Sequence, residues 1–285
     1  MIGAVIVDFH THVFPPQVVE GRERYAQEDA TFRTLYESPS ATLATAGDLL
    51  RSMEAGGIDV SVAVGFAWRD AETCRMHNAY LIDAAARSNG RIVGFCTLPL
   101  AAGAKAIEAE MRRCASAGAK GFGELRPESL GFDLDGKAGR RMADVAQELG
   151  SVLLLHVSEP VGHAYAGKEG LDVGAFYGFV TAHPEVKVVG AHWGGGLPFY
   201  ASMPEVRQAF DRWVYVDTAA SSLLYDDGVY ERGAMLAGAE HVLFGSDYPL
   251  LTQKRSWRRI EESGLDEASR ALVLGGNAAR LLGLS

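Results

Sequence analysis

Two histidines separated by one residue stand near the amino terminus, in the run Asp8-Phe9-His10-Thr11-His12. They follow a short apolar stretch that is typical of a β-strand. Because alternate residues of an extended chain point to the same side, the two imidazoles can converge on one ion. The alternative interpretation is a pair of loop histidines that make ordinary hydrogen bonds.

Three more residues with metal-binding side chains each follow an apolar run: His156, His192 and Asp247. If these runs are parallel strands, their carboxyl ends meet at the face where barrel enzymes carry their active sites. Imidazole and carboxylate ligands suit Zn²⁺ or another divalent transition metal, which lowers the pKa of bound water to about 7. Asp247 is then placed to bind the ion or accept the water proton, and His192 to polarise a carbonyl or carry a proton.

The fourth apolar run ends in Gly123-Glu124-Leu125-Arg126. We expect Glu124 to be a further metal ligand or to accept a hydrogen bond from one, and Arg126 to bind a substrate carboxylate through two parallel hydrogen bonds. The alternative is a salt bridge between the two side chains. Three loop residues are candidates for contact with the substrate: Trp68, His163 and Tyr165.

Eight short apolar runs are available to position these side chains, and helical periodicity follows most of them. The runs cover residues 4–9, 59–65, 92–97, 119–122, 152–156, 186–191, 214–217 and 241–245. Their uninterrupted apolar character predicts strands buried on both faces, and eight is the number that a closed (β/α)8 barrel requires. A doubly wound open sheet is the alternative. The sequence predicts an α/β fold, a single-domain TIM barrel over residues 1–285.

Helical patterns fill most of the intervals between these runs. They cover residues 71–88, 104–117, 139–149, 173–183, 205–213 and 266–274, with a weaker pattern over 256–263. Asp266 is predicted to cap the last of the strong patterns. The longest irregular stretch is predicted over residues 14–39, after the first strand, where a loop of that length is usually a lid or a binding loop.

The composition excludes several classes of function. Lys and Arg number 27 against 36 Asp and Glu, so the net charge of −9 disfavours nucleic acid and anionic membranes as partners. No apolar run reaches the ~18 residues of a membrane span, and the amino terminus lacks the basic region of a signal peptide. Three cysteines without a C-x-x-C pair favour a reducing, cytoplasmic location. We expect a small-molecule substrate and, by default, a homodimer.

The chain resembles the amidohydrolase superfamily, in its amidohydrolase-2 branch, which includes aminocarboxymuconate semialdehyde decarboxylase. The resemblance rests on four motifs that occur in the expected order along nearly the whole chain: Asp8-x-His10-x-His12, residues 183–196 (HPEVKVVGAHWGGG), residues 243–249 (LFGSDYP) and residues 275–282 (GGNAARLL).

The resemblance implies a distorted (β/α)8 barrel with one metal ion. His10, His12, His156 and Asp247 match its ligand positions, and His192 matches its catalytic histidine. Glu124 stands where binuclear relatives have a bridging lysine, which argues against a second ion. The loop after His156 lacks the His-Pro-Trp sequence of the decarboxylase, so that enzyme's substrate does not transfer to this chain.

Three functions follow as hypotheses. The first is a hydrolase, in which a metal-activated water attacks the carbonyl of an amide, ester or lactone. The alternative keeps the same site and removes CO2 from an unsaturated or aromatic carboxylic acid without oxidation. The third is a barrel without catalytic activity that binds metal and a small ligand. Zn²⁺ is the first expectation for the metal and Mn²⁺ the second.

Overall fold

The computed structural model describes residues 5–284, and Ala4, where the first predicted strand begins, lies outside them. Eight parallel strands form one sheet, in the order β1-β2-β3-β4-β5-β8-β9-β10. Their bounds are β1 Val7–His12, β2 Val60–Val64, β3 Ile92–Cys96, β4 Gly121–Leu125, β5 Val152–Leu155, β8 Lys187–Gly190, β9 Val214–Asp217 and β10 Val242–Leu243. Two short strands, β6 (Val157–Ser158) and β7 (Leu171–Asp172), pair separately.

The sheet closes between its first and last strands. Phe9 N donates to Phe244 O at 2.7 Å, His12 N donates to Tyr248 O at 2.6 Å, and Asp247 N donates to His10 O at 3.0 Å. The predicted (β/α)8 barrel is therefore confirmed, and the open sheet that was its alternative is wrong. Closure also brings the ends of β1 and β10 together, although they are far apart in sequence.

The helices surround the strands. Their bounds are α1 Pro16–Glu20, α2 Arg22–Glu28, α3 Ala30–Tyr36, α4 Ala46–Gly56, α5 Ala71–Arg87, α6 Ala104–Ser116, α7 Lys137–Leu149, α8 Val173–Ala182, α9 Ala191–Gly194, α10 Pro204–Phe210, α11 Ser221–Leu224, α12 Val229–Ala237, α13 Gln253–Glu261, α14 Glu267–Ala271 and α15 Asn277–Leu282. None of those within residues 5–284 has both the length and the apolar character needed to cross a bilayer.

Most predicted helices are found within a few residues of their expected bounds, and Asp266 caps α14 by accepting a hydrogen bond from Ser269 N. The prediction of an irregular stretch over residues 14–39 was wrong, because α1, α2 and α3 occupy most of it. Their short length hid the periodicity. Asp29 begins α3 by accepting from Phe32 N. Helices α4, α12 and α15 were also not predicted from the sequence.

The core has three parts. The barrel interior is filled by alternate strand residues such as Val62, Val64, Val152 and Leu154, and a larger cluster fills the space between strands and helices. A third cluster, rich in aromatic side chains, lies beneath α1–α3. The helical segment after β1 therefore packs firmly against the barrel, and it covers part of the carboxyl-terminal face.

The pairing register shifts in two strands, β1 and β4, next to candidate metal-binding residues. The pairing of β1 with β2 shifts between Asp8 and Thr11, and that of β4 with β5 shifts between Phe122 and Leu125. Such irregularities re-aim side chains near active sites. Gly123 is required at the second, since a Cβ there would lie 2.6 Å from the Cβ of Leu154.

Candidate metal centre

The candidate metal-binding side chains meet at the carboxyl-terminal face of the barrel. His10 and His12 belong to β1 and Glu124 to β4, while His156 follows β5. His192 lies in α9, which is a short left-handed turn directly after β8, and Asp247 follows β10. All six are buried. Residues from five strand ends are therefore brought into one cluster.

The first group of three consists of His10, His12 and Asp247, whose ligand atoms lie within 4.8 Å of one another. The two histidine Nε2 atoms are 3.1 Å apart, and Asp247 Oδ1 lies 3.3 Å from His12 Nε2 and 3.9 Å from His10 Nε2. The Nδ1 atom of His12 is buried and has no hydrogen-bond partner within residues 5–284.

Buried carboxylates support this group from behind. Asp217, at the end of β9, accepts a hydrogen bond from His10 Nδ1 at 2.8 Å, which leaves Nε2 free to face the cluster. The same carboxylate accepts from the backbone N–H of His192 at 3.0 Å. Asp8 accepts from Ser246 Oγ at 2.6 Å and from Gln253 Nε2 at 2.9 Å. These bonds hold the first strand against the segment that carries Asp247.

The second group of three consists of Glu124, His156 and His192. Glu124 Oε1 accepts from His156 Nδ1 at 2.8 Å and lies 3.3 Å from His192 Nε2. The far nitrogen of His156 contacts Ser158 Oγ at 3.2 Å, and Nδ1 of His192 faces Ala219 O at 3.2 Å. Glu124 also lies 3.8 Å from His10 Nε2, so its carboxylate links the two groups.

The ionisation of the cluster follows from mutual charge compensation. Burial would lower the pKa of His10, but the neighbouring carboxylate of Asp217 raises it to about 10. Burial would also lower the pKa of His192, but its contact with Glu124 raises it to about 9. Burial and the Arg126 charge lower the pKa of His156 to about 4. Burial would raise the pKa of Glu124 and Asp247, yet the neighbouring imidazoles hold both well below their usual range. Protonated imidazoles of His10 and His192 thus supply the positive charge that the buried carboxylates require.

This donor set fits one divalent metal ion. Two ligands bound to the same ion at about 2.1 Å lie roughly 3 to 3.5 Å apart, close to the distances within the first group. Two imidazole Nε2 atoms that face each other at 3.1 Å require a proton or a cation between them. A cation would replace those protons and neutralise the buried carboxylates. Zn²⁺ and Mn²⁺ both accept imidazole and carboxylate ligands.

Two of the candidate catalytic residues have strained backbones. Among residues 5–284, five that are not glycine have positive φ, and His192 (56°) and Asp247 (63°) are two of them. Left-handed conformations cost free energy in residues with a Cβ, and they cluster at functional sites. The hydrogen bonds from His192 N to Asp217 and from Asp247 N to His10 O maintain these two conformations.

A cavity of about 450 Å³ opens directly above the cluster. Its floor contains the second group of three together with His12, Asp247 and Arg126, and its walls are largely apolar. Arg126 is only 6% exposed; its Nη2 donates to Gly167 O at 2.6 Å, and its Nη1 lies 3.9 Å from Glu124 Oε2. The cavity has the size and character of a small-molecule site.

The three loop candidates differ in position. His163 and Tyr165 line the cavity, and Tyr165 OH donates to Glu159 at 2.8 Å. Trp68 is not among the lining residues, contrary to its predicted role. It is 1% exposed, and its Nε1 donates to His77 Nδ1 at 2.9 Å. The unpredicted helices α1–α3 cover it, and its ring stacks on Phe32.

Sequence reasoning missed two residues of the site. Asp217 is the last residue of β9. His156 was selected because functional residues lie at strand ends, and the same reasoning also indicated Asp217. Tyr36 lines the cavity from α3, and its ring packs against Phe14 and Phe32. No local pattern indicated Tyr36, because the segment was expected to be irregular.

A family model described as Amidohydrolase matches residues 7–284. The chain belongs to the amidohydrolase family. The predicted resemblance is thus confirmed, and this amidohydrolase is a metal-dependent enzyme, which sets aside the hypothesis of a barrel without catalytic activity. A search of curated proteins found no match.

Solved structures share the fold of this amidohydrolase. The 5-carboxyvanillate decarboxylase of Sphingomonas paucimobilis is 17% identical, with a TM-score of 0.80 over 99% of this chain and 100% of the other. The same enzyme from Novosphingobium aromaticivorans, with manganese and 4-hydroxy-3-methoxy-5-nitrobenzoic acid, is 16% identical, with a TM-score of 0.81 over 99% and 97%. The 2,6-dihydroxybenzoate decarboxylase of Rhizobium is 18% identical, with a TM-score of 0.74 over 98% and 99%.

Proposed function

We propose that this amidohydrolase removes CO2 from a planar, aromatic or unsaturated carboxylic acid, with one divalent metal ion. The observation that carries the proposal is the buried guanidinium of Arg126, which lines the cavity beside the candidate metal ligands, beneath largely apolar walls. Hydrolysis was the first expectation from the sequence. The decarboxylation alternative has the better support.

Arg126 is suited to hold a carboxylate. Gly167 O and Glu169 O accept hydrogen bonds from its Nη2, at 2.6 and 3.4 Å, and fix the side chain in place. Its Nε–H has no partner within residues 5–284, so the guanidinium keeps unused donor capacity. Arginine binds carboxylates with two parallel hydrogen bonds, and a fixed, desolvated guanidinium loses little entropy in doing so.

The walls of the cavity include aromatic side chains. Tyr36 and Phe66 line one side, with ring centroids 5.9 Å apart and planes at 69°. Aromatic and aliphatic walls exclude water from the bound acid. A carboxylate in such surroundings loses hydration, and as CO2 leaves, its charge passes to the ring carbon, where it is more dispersed. Desolvation of the carboxylate therefore favours the departure of CO2, provided that a proton reaches the ring carbon.

Decarboxylation also requires a proton. When the bond between the ring carbon and the carboxyl carbon breaks, its electron pair stays on the ring carbon, and a proton must be delivered there. His192 is the candidate donor, since its Nδ1 faces Ala219 O and its Nε2 faces Glu124 Oε1 at 3.3 Å on the cavity floor. Glu124 keeps the imidazole protonated and oriented, and solvent water restores the proton to His192 after the transfer.

His10, His12 and Asp247 are the residues that we propose to hold the metal, with Glu124 and His156 as further candidate ligands. The bound ion would supply positive charge that stabilises the negative charge developing on the substrate. The roles of His163 and Tyr165 as substrate contacts remain part of this proposal, on the basis of their position at the cavity wall.

The named activities of the similar structures agree with this proposal. They include decarboxylases of 5-carboxyvanillate and 2,6-dihydroxybenzoate, and one that was crystallised with manganese and 2-nitroresorcinol. At 15–20% identity these similarities support the fold, and the reaction is our inference from the site together with those names. Manganese in two of the similar structures adds weight to Mn²⁺ beside Zn²⁺.

Hydrolysis is the second candidate, and Asp247 is the observation that favours it. Its carboxylate lies 3.3 Å from His12 Nε2 at the cavity floor, and the imidazoles keep it ionised. A carboxylate in that position can accept a proton from an attacking water. The substrate would then be an amide, ester or lactone that also presents a negative group to Arg126.

Product analysis decides between the two reactions. The purified protein, loaded with Mn²⁺ or Zn²⁺, is incubated with hydroxybenzoates and unsaturated acids labelled with ¹³C in the carboxyl group, and in parallel with esters, lactones and amides. We expect labelled CO2 and a ring with one more hydrogen. New carboxyl groups from the second panel, without CO2 from the first, would establish hydrolysis instead.

A further inference from the structure

Tyr36, the last residue of α3, lines the cavity above the candidate metal ligands. Three aromatic rings pack around its own ring: those of Phe14 and Phe32, with centroids at 5.1 Å, and that of Phe66, at 5.9 Å. Close packing of this kind holds a side chain in one rotamer. The fold therefore fixes the position of the Tyr36 hydroxyl.

The hydroxyl of Tyr36 lies near the charged groups of the cavity floor. Burial and the negative charges of Asp247 and Glu124 raise the pKa of this hydroxyl above its usual value, and the positive charge of Arg126 acts in the opposite direction. All three of these charged residues line the same cavity. The phenol therefore keeps its proton and can act as a hydrogen-bond donor.

This hydroxyl is not used by the protein itself. Over the described residues 5–284, no hydrogen bond joins it to another group. Tyr165, at the cavity wall, differs because its hydroxyl donates to Glu159 at 2.8 Å. A tyrosine hydroxyl that is withdrawn from bulk water usually has a partner. An unpaired one inside a ligand cavity points to an acceptor atom on the ligand.

The end of α3 also lies beside the guanidinium of Arg126. A Cβ built on Gly167 would lie 2.7 Å from Leu35 Cδ2 and 3.4 Å from Arg126 Nη2, so both side chains lie against one backbone position. The Nε–H of Arg126 likewise has no partner in the described part of the chain. A carboxylate suits such a pair of donors, because its two oxygens accept several hydrogen bonds.

We propose that Tyr36 is a substrate-binding residue, whose hydroxyl donates a hydrogen bond to the same carboxylate that Arg126 binds. The inference rests on the proposed function for the presence of a carboxylate at the cavity floor. It adds a residue that determines specificity. Hydrogen bonds to a charged acceptor are stronger than those to a neutral one, so Tyr36 favours an acid over the corresponding neutral amide.

Binding of benzoate tests this proposal without turnover. Benzoate lacks the ring hydroxyl groups that assist loss of CO2, so it can bind to the metal-loaded protein without reacting. Isothermal titration calorimetry measures its dissociation constant in the wild-type protein and in Tyr36→Phe, which keeps the ring and removes only the hydroxyl. We expect the dissociation constant to rise about 10-fold or more for benzoate, and by a smaller factor for neutral benzamide.

Tyr25→Phe is the matched control. Tyr25 belongs to the same aromatic cluster, is 4% exposed and does not line the cavity. Its substitution should leave the affinity for benzoate at the wild-type value. Metal content and melting temperature, measured for both variants, should also stay unchanged, because neither substitution removes a metal ligand or a ring from the cluster.

The outcomes separate this inference from the proposed reaction. Equal affinity for benzoate in the wild-type protein and Tyr36→Phe would overturn the inference, as would equal losses for benzoate and benzamide, loss of metal from Tyr36→Phe, or no binding of benzoate at all. Weaker binding of benzoate by Tyr36→Phe, without CO2 from any labelled acid, would support the role of Tyr36 and reject decarboxylation. Release of CO2 together with an unchanged affinity for benzoate would do the reverse.

Discussion

The two halves of the metal centre are built differently, although both combine imidazole with carboxylate. In the first half, His10 and His12 face Asp247, and the carboxylates Asp217 and Asp8 support them from behind. In the second half, the carboxylate of Glu124 lies at the centre, and two histidines bond directly to it. In the first half, Nδ1 of His10 bonds to Asp217, a carboxylate outside the group, whereas in the second half Nδ1 of His156 bonds to Glu124 within the group.

The difference separates two tasks. Histidines fixed by carboxylates behind them are oriented before an ion arrives, which strengthens metal binding. Histidines bonded to a central carboxylate are arranged for exchange of protons between neighbours. We infer that the first half mainly holds the ion and that the second half mainly moves protons. The following substitutions test that division.

The largest effect is expected at His192. His192→Ala should lower kcat by about 10²- to 10⁴-fold, because it removes the proposed proton donor. Metal content, measured by elemental analysis, should stay near one equivalent. Loss of the metal together with activity would show that His192 belongs to the binding half, and the division would fail.

Metal affinity should distinguish the halves directly. His12→Ala should weaken metal binding by more than about 100-fold, since loss of a ligand exceeds the 10- to 100-fold effect of losing a group behind it. His156→Ala should weaken it less, because Nδ1 of His156 already bonds to Glu124. Competition with a chromogenic chelator measures both. Equal losses would mean that the two halves bind the ion jointly.

Asp217 tests the support behind the first half. Asp217→Asn keeps the shape of the side chain but removes the charge that fixes the tautomer of His10. We expect metal affinity to fall about 10- to 100-fold while the protein stays folded. Circular dichroism checks the fold. Asp211→Asn, an exposed aspartate outside the site, is the matched control and should leave metal affinity as it is.

Arg126 tests the link between the second half and the substrate. Arg126→Lys retains the positive charge but loses the planar pair of donors, so KM for carboxylate substrates should rise about 10-fold or more. Steady-state kinetics on the acids measure KM, and inhibition of the same reaction by the corresponding neutral amides gives the comparison. A similar loss of affinity for the neutral amides would argue against a carboxylate contact.

The smallest effect concerns a buried histidine outside both halves. His77 donates to Val13 O and accepts from Trp68, and burial lowers its pKa to about 4. Because the unfolded chain binds the proton near pH 6.5, the free energy of unfolding is highest above that pH and falls as the pH drops towards 4. From pH 7.5 to 5.5 the loss should be about 1 kcal/mol.

Urea titrations at the two pH values measure this loss, with His77→Gln as the comparison. The variant should lose that part of the pH dependence, since glutamine has no proton to gain in this range. An unchanged pH dependence would show that His77 is not the responsible group. Such a result would leave the contrast between the two halves of the metal centre intact.

Much of the fold was predictable because it depends on local periodicity. Continuous apolar runs marked the strands, and residues 214–217 were predicted with the bounds that β9 has. Helix α5 was expected over residues 71–88 and ends one residue earlier. The short helices α1–α3 escaped detection, because five to seven residues are too few for a clear helical period, and tertiary contacts stabilise them.

The candidate site was predictable in its residue types and less so in its contacts. Strand-end positions selected His156, His192 and Asp247, and the structure brings them to one face. Trp68 was expected at the substrate, but the unpredicted helices enclose it in an aromatic cluster. Tyr36 escaped notice for the same reason, since only packing of α3 over the barrel brings it to the cavity.

The sequence by itself determined the eight strands, the acidic balance and the presence of metal-binding side chains at strand ends, because each depends on residues close together in the chain. The tertiary structure decided which side chains meet. His10 bonds to Asp217 across 207 residues, and Asp8 bonds to Ser246 across 238. Such contacts depend on barrel closure and on the register shifts of β1 and β4, and no local pattern encodes either of them.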